Sequence, residues 1–239
     1  MSTGPAGAVT TITLCSYQGS QRLWAFNQMG GSRRILARTN GLLFWRLLGT
    51  GQGRGFSLRP DFSRYGLLAV WRSQDAADRF MSGSALMREY RGRSSECWTV
   101  VLHPYDSRGA WGGSNPFLPL VERRASGPVA VLTRAAIRFS RLRSFWTAVP
   151  ATTRGLDRAN GLLASVGTGE APFIRPATFS LWRSEADLVK YAYGDAEHQE
   201  VIRRRADEGW YSEELFARFV PVRSEGTWDG RDPLAGLLT

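Results

Sequence analysis

The chain alternates short, β-branched apolar runs with longer segments of helical spacing, and it does so twice in the same order. Residues 9–15 and 129–138 are apolar and β-branched, which predicts strands. Residues 20–37 and 140–159 carry apolar positions at helical spacing, such as Leu23 and Phe26 in one and Leu142, Phe145 and Trp146 in the other. Strands are expected next at 42–50 and 161–168, then at 65–72 and 177–183. Ser73 and Ser184, each followed by an acidic residue within one turn, predict the N-caps of a second helix in each half. A last strand, Trp98 to His103 and Leu215 to Val220, is expected to stop at Pro104 and Pro221.

Short matches tie the two runs together. Asn40-Gly41-Leu42-Leu43 returns as Asn160-Gly161-Leu162-Leu163, and Gly49-Thr50-Gly51 returns as Gly167-Thr168-Gly169. Trp71-Arg72-Ser73 returns as Trp182-Arg183-Ser184, and Gly109-Ala110-Trp111-Gly112-Gly113 as Gly226-Thr227-Trp228-Asp229-Gly230. The fold class is therefore α+β, a tandem duplication of a ferredoxin-like βαββαβ unit. Each four-stranded sheet has helices on one face, and the two bare faces are expected to close on each other as an intramolecular, barrel-like pseudo-dimer. The expected divisions are a flexible N-terminus (1–8), a first repeat with its linker (9–125) and a second repeat (126–239). The Gly/Pro/Arg-rich stretch 107–128 is the expected linker.

Composition narrows the class. At 239 residues, 43% hydrophobic and 22% charged, the chain can bury a proper core. No run reaches the length of a membrane span and no signal peptide is evident, so a cytoplasmic protein is expected. The two cysteines, Cys15 and Cys97, lie in strand-like runs and are expected as two buried thiols. The net charge of +10 comes almost wholly from scattered arginines, Lys190 being the only lysine. Such a surface suits an acidic protein partner or peripheral contact with anionic lipid; nucleic acid is a minor alternative.

Differences between the halves point to chemistry. Aligned from the paired tryptophans, Gly83 matches Gly194 and Met87 matches His198. His198 shares a helix face with Tyr191, Val201 and Ile202, a face expected to look toward the sheet. An unpaired buried imidazole nitrogen costs about 1–3 kcal/mol, so this histidine needs a partner, which a core hydrogen bond or iron would supply. The other histidine, His103, is expected at a strand end. Gly49 to Gly55 resembles a phosphate loop but lacks the Gly-Lys-Ser/Thr ending, and its twin at Gly167 reads as a structural turn. Arg134 lies in an apolar strand and needs an anionic or polar partner, met by a cofactor carboxylate, a bound oxygen species, or a buried Asp or Glu.

Gln21-Arg22-Leu23-Trp24, Phe44-Trp45 through Gly53, and Leu132-Thr133-Arg134-Ala135 resemble the spheroidene monooxygenase family, also called acyclic carotenoid 2-ketolases. So do Gly167 through Phe173, Thr178-Phe179-Ser180-Leu181-Trp182, and Trp210 with Leu215-Phe216-Ala217-Arg218-Phe219. The likeness spans about residues 10–232. It implies a haem b enzyme of the dimeric α+β barrel class that inserts oxygen from O₂ into an acyclic carotenoid, with a ferredoxin-type electron donor. The family's histidine corresponds to His198, implied as axial iron ligand, and none corresponds to His103. On this reading Arg134, Phe173, Phe179 and Trp182 are candidates for lining the cofactor, with Arg134 a candidate distal residue. Three classes stay open: oxidation of a carotenoid or other small lipophile, a haem enzyme with different chemistry (aldoxime dehydration or N-oxidation), and a non-catalytic ligand- or RNA-binding pair. Self-association of whole chains is compatible with each.

Overall fold

A computed structural model describes residues 8–118, 120–122, 126–171, 173–194 and 196–238, the side chains of 151–154, 196–199, 202 and 206 excepted. The first half runs β1 (Val9–Ser16), α1 (Gln21–Gly31), α2 (Arg33–Ala37), β2 (Leu42–Gly51), β3 (Pro60–Trp71), α3 (Gln74–Gly83), α4 (Ala85–Arg93) and β4 (Glu96–Gly109). The second repeats that order as β5 (Val129–Ile137), α5 (Leu142–Arg158), β6 (Leu162–Ala171), β7 (Arg175–Trp182), α6 (Glu185–Gly194), α7 (Ala196–Glu208) and β8 (Tyr211–Gly226). The strands form one closed antiparallel barrel in the order β1-β3-β2-β6-β7-β5-β8-β4. The duplicated α+β unit thus pairs with itself as expected. Among the described residues, no helix is long and apolar enough to cross a membrane.

The register at the two seams shows how the halves are related. Thr50 pairs with Thr168, its own counterpart in the repeat, and His103 pairs with Val220, again its counterpart. A pseudo-two-fold axis passes between the members of each pair. The seams are unequal: β4 and β8 pair from Trp98↔Gly226 to Gly109↔Leu215, whereas β2 and β6 pair only at Gly49↔Gly169 and Thr50↔Thr168.

All eight strands send side chains into the barrel, where Ile12, Leu48, Leu68, Val100, Leu132, Val166, Phe179 and Phe219 share one buried cluster. The outer face of the first sheet packs on its helices in a second continuous cluster that includes Leu67, Trp71, Phe80 and Met87. Ser73 and Ser184 act as expected, their hydroxyls accepting from the backbone N–H of Ala76 and Asp187.

Several expectations are corrected. The last strands run on through Pro104 and Pro221, which sit beside bulges where the ladder tolerates a missing N–H. His103 is therefore mid-strand. The expected strands at 42–50 and 161–168 include Gly49 and Gly167 and run on to meet at the seam; the turn read at Gly49 to Gly55 begins only after Gly51. The expected linker 107–128 does more than connect: Trp111 and Phe117 are buried and complete the barrel core, Phe117 meeting Phe219 edge-on at 5.0 Å. Cys15 and Cys97, expected as separate thiols, are register partners on β1 and β4, with Cα atoms 4.1 Å apart, and are joined in a disulfide. Residues 1–7 and 123–125, which hold most of the expected N-terminal tail and the join near 125, lie outside the described residues.

The pseudo-symmetry breaks at paired glycines. A Cβ on Gly167 would come within 2.0 Å of the Gly55 carbonyl oxygen, because the β2–β3 loop of the first half lies over β6. A Cβ on its counterpart Gly49 would meet nothing nearer than 3.9 Å. Gly167→Ala is therefore expected to lower stability by about 1–3 kcal/mol, the usual cost of overpacking, with Gly49→Ala close to neutral. Thermal melts of the two variants side by side check this, and equal melting points would show that the loop does not rest on β6.

Candidate functional site

His198 falls on α7; its side chain, with that of Ile202, lies outside the described residues. The position it matches, Met87 on α4, is fully buried in the first half's helix–sheet cluster. The helix that carries His198 is anchored at its far end. Glu208 accepts hydrogen bonds from the Ser144 hydroxyl on α5, from Trp210 Nε1 at 2.8 Å and from Arg204 Nε at 3.0 Å. The Trp210 ring meets Phe145 at 5.8 Å, edge to face. Those hydrogen bonds, Ser144's first, hold the Glu208 carboxyl down at about 2.

The helix–sheet layers of the two halves differ in the middle. In the first half Thr13 and Leu67 are register partners, 2% and 3% exposed, and Leu67 is part of one unbroken cluster. Their counterparts Thr133 and Thr178 are also partners on the outer face but are only half-buried. Among the described residues, the buried apolar side chains on this face form two groups on either side of that pair. One is Ile137, Phe145, Val149 and Trp210; the other is Val129, Val131, Trp182 and Leu188, with Tyr191 stacked 5.1 Å from Trp182. Short side chains in the centre and aromatic groups at the ends set this layer apart from its continuous counterpart in the first half.

The other candidates do not share one surface. Trp182 belongs to this outer layer, but Phe179 points the opposite way, into the barrel beside Trp98. Phe173 lies on the far side of Trp146, whose Nε1 donates to the Phe173 carbonyl at 3.0 Å. A single slot lined by Phe173, Phe179 and Trp182 is ruled out by strand alternation. Arg134 continues the inward row of Ala130 and Leu132 and is 3% exposed. It pairs with Glu213 and, at 3.6 Å, with Glu170, and its guanidinium stands 5.6 Å from the Trp111 ring centre. Of the partners anticipated for it, glutamates are the ones present, both of them partly exposed.

This ion-pair cluster closes one end of the barrel, and Arg134 was its one pointer in the order of residues. Glu170 also accepts from Trp111 Nε1 at 2.8 Å and pairs with Arg46, which stacks 4.0 Å from Phe44. Glu213 accepts from the backbone N–H groups of Gly112 and Gly113 at 3.0 and 2.7 Å. Burial raises the Glu213 pKa, but those two donors and Arg134 together outweigh it and hold the carboxyl below its usual range. At the opposite end Glu96 receives Asp229 and Gly230 in the same manner, the repeat of one motif. Each half's last strand thus sends a Trp-containing loop to cap the other half.

Three relatives match nearly the whole chain. The spheroidene monooxygenase of Rhodobacter capsulatus is 35% identical, covering 96% of this chain and 97% of its own. That of Rubrivivax gelatinosus is 37% identical over 96% and 88% of the two chains, and that of Cereibacter sphaeroides 32% over 96% and 72%. The chain belongs to the spheroidene monooxygenase family. No family model matches it. Among solved structures, an aldoxime dehydratase superposes with a TM-score of 0.61 at 14% identity, covering 90% of this chain and 81% of that one. A second, in complex with butyraldoxime, gives 0.58 at 10% identity over 90% and 79%. These two likenesses show a shared fold for the spheroidene monooxygenase family and the dehydratases, and nothing about a common reaction.

Two outcomes follow for the charged groups. Arg134→Met takes a buried guanidinium from two partly exposed carboxylates that keep their other partners, and is expected to cost about 1–3 kcal/mol in urea melts. Activity per folded molecule should be unchanged; a variant of normal stability but reduced turnover would make Arg134 a functional residue. Glu208 has a lowered folded-state pKa, so its contribution is fully present above the ordinary carboxylate range and is lost as pH falls toward 2. Glu208→Gln should therefore melt below the wild type at neutral pH, with the gap closing in strong acid, as followed by circular dichroism.

Proposed function

We propose that this chain is a haem-dependent monooxygenase that oxidises an acyclic carotenoid or a similar lipophilic small molecule with O₂. His198 is the residue that would hold the iron. One observation carries the reading: of the two equivalent helix positions in the duplicated fold, one is sealed by buried Met87 and the other carries histidine, in the half whose central outward pair, Thr133 and Thr178, is only half-buried. Membership of a family whose relatives are named spheroidene monooxygenase supports the oxygenation and the substrate class.

In this reading His198 would hold the iron, and an acceptor for its second ring nitrogen would fix the tautomer. Trp182, Tyr191 and Phe145 give apolar flanks that exclude water. The haem, when bound, supplies the activation of O₂; the chain supplies its position, its apolar surroundings and its substrate. Electrons come from a ferredoxin-type donor, which the arginine-rich surface suits by charge complementarity.

Purified protein reconstituted with haemin is expected to show a Soret band that His198→Ala shifts or abolishes, with circular dichroism unchanged. Supplied with reduced ferredoxin and an acyclic carotenoid, the holoprotein should yield a ketone detectable by mass spectrometry. A Soret band indifferent to His198→Ala would refute the ligand assignment.

A further inference from the structure

At the short β2/β6 seam the barrel wall opens into a cleft of about 270 Å³. Its floor is the doubled Gly-Thr-Gly strand, Gly49 to Gly51 against Gly167 to Gly169, and its walls come from both halves: Phe26 of α1 and Phe62 of β3 on one side, Trp146 of α5 and Phe173 on the other. The asymmetry of the two glycines creates it. The loop of the first half covers Gly167, whereas a Cβ on Gly49, facing outward opposite Tyr65, would meet only the Gly169 carbonyl oxygen, at 3.9 Å.

Three observations mark this cleft as a place for a ligand. The lining is apolar and aromatic, and Phe26 and Phe62 remain 53% and 61% exposed at its mouth, where no fold contact requires them. Phe173 is held at φ +68°, a left-handed conformation rare for a bulky residue, with the Trp146 indole N–H on its carbonyl. Finally, Asp61 and Glu170, the carboxylates on the lining, are engaged by Ser63 and by Arg46 with Trp111, so the cleft offers little to a charged ligand.

We propose that this cleft, in addition to the His198 layer, is the binding site for one end of the substrate: a long, flat, apolar chain lying along the glycine floor between the four aromatic walls. The rest of the chain would leave past Phe26 and Phe62. The assignment rests on the lipophilic-substrate reading above and locates it on the molecule. A side chain at Gly49 would fill the floor without disturbing the fold.

The test titrates the haemin-reconstituted protein with an acyclic carotenoid in detergent micelles, following tryptophan quenching and the carotenoid absorption band, and measures ketone formation in parallel. Gly49→Leu is expected to weaken binding by about tenfold or more, the scale of one overfilled apolar contact, while the Soret band and melting point stay put. Should Gly49→Leu fold poorly, the double variant Phe26→Ser/Phe62→Ser, changed only at exposed positions, is expected to weaken binding likewise. Carotenoid bound equally well by wild type and folded variants, or not bound by wild type, overturns the cleft assignment. Binding blocked by Gly49→Leu with no ketone formed by wild type leaves the cleft standing and refutes the oxygenation reading instead.

Discussion

Two four-stranded sheets, each covered by helices on one face, have to bury the other face, and in this chain they bury it against one another. That requirement fixes the barrel and with it the two seams. A seam between copies related by a pseudo-two-fold axis must pair a residue with its own counterpart somewhere along its length, as Thr50 does with Thr168 and His103 with Val220. The long β4/β8 seam holds the halves together, and its strands overrun into loops that cap opposite ends through Trp111 and Trp228. The short β2/β6 seam leaves the wall open where the glycines lie.

Function enters where the copies stop being equal. In the first half the outer sheet face and its helices pack as one layer, with Met87 and Leu67 filling its middle. In the second, Thr178 stands for Leu67 and His198 for Met87, and the layer parts around the threonine pair. The same logic acts at the seam, where the longer β2–β3 loop reaches over Gly167 and leaves Gly49 clear. Both departures remove bulk from one copy while the other keeps the fold.

Much of this was legible in the order of residues because a repeat supplies its own control. The paired tryptophans and the Asn-Gly-Leu-Leu segments located the strands, and Ser73 and Ser184 capped the expected helices. What stayed hidden depended on contacts distant in sequence. Cys15 and Cys97 are 82 residues apart, and only the β1/β4 register brings them together. Arg134 signalled a need for an anion, but Glu170 and Glu213 reach it from other strands. Phe179 and Trp182 looked like neighbours lining one slot; three residues apart on a strand, they belong to opposite faces. Prolines that end strands in isolation were absorbed at bulges, because β4 and β8 continue to pair beyond them.

A barrel assembled from two identical chains would carry every feature twice. A histidine on one helix would appear on both, and any bulk removed from one sheet would be removed from its twin, thinning both cores at once. Fusing the copies lifts that restriction. One half can keep a dense layer, with Trp71, Phe80 and Met87 buried in it, and the other can be packed less tightly at its centre, where Thr133 and Thr178 are only half-buried. The arrangement also explains why the proposed cleft lies on the axis. There a groove in a symmetric dimer would be symmetric too and would bind a chain in two equivalent directions. Here the loop over Gly167 blocks one of them, and an oxygenase that must act at a defined carbon needs its substrate held in a single direction.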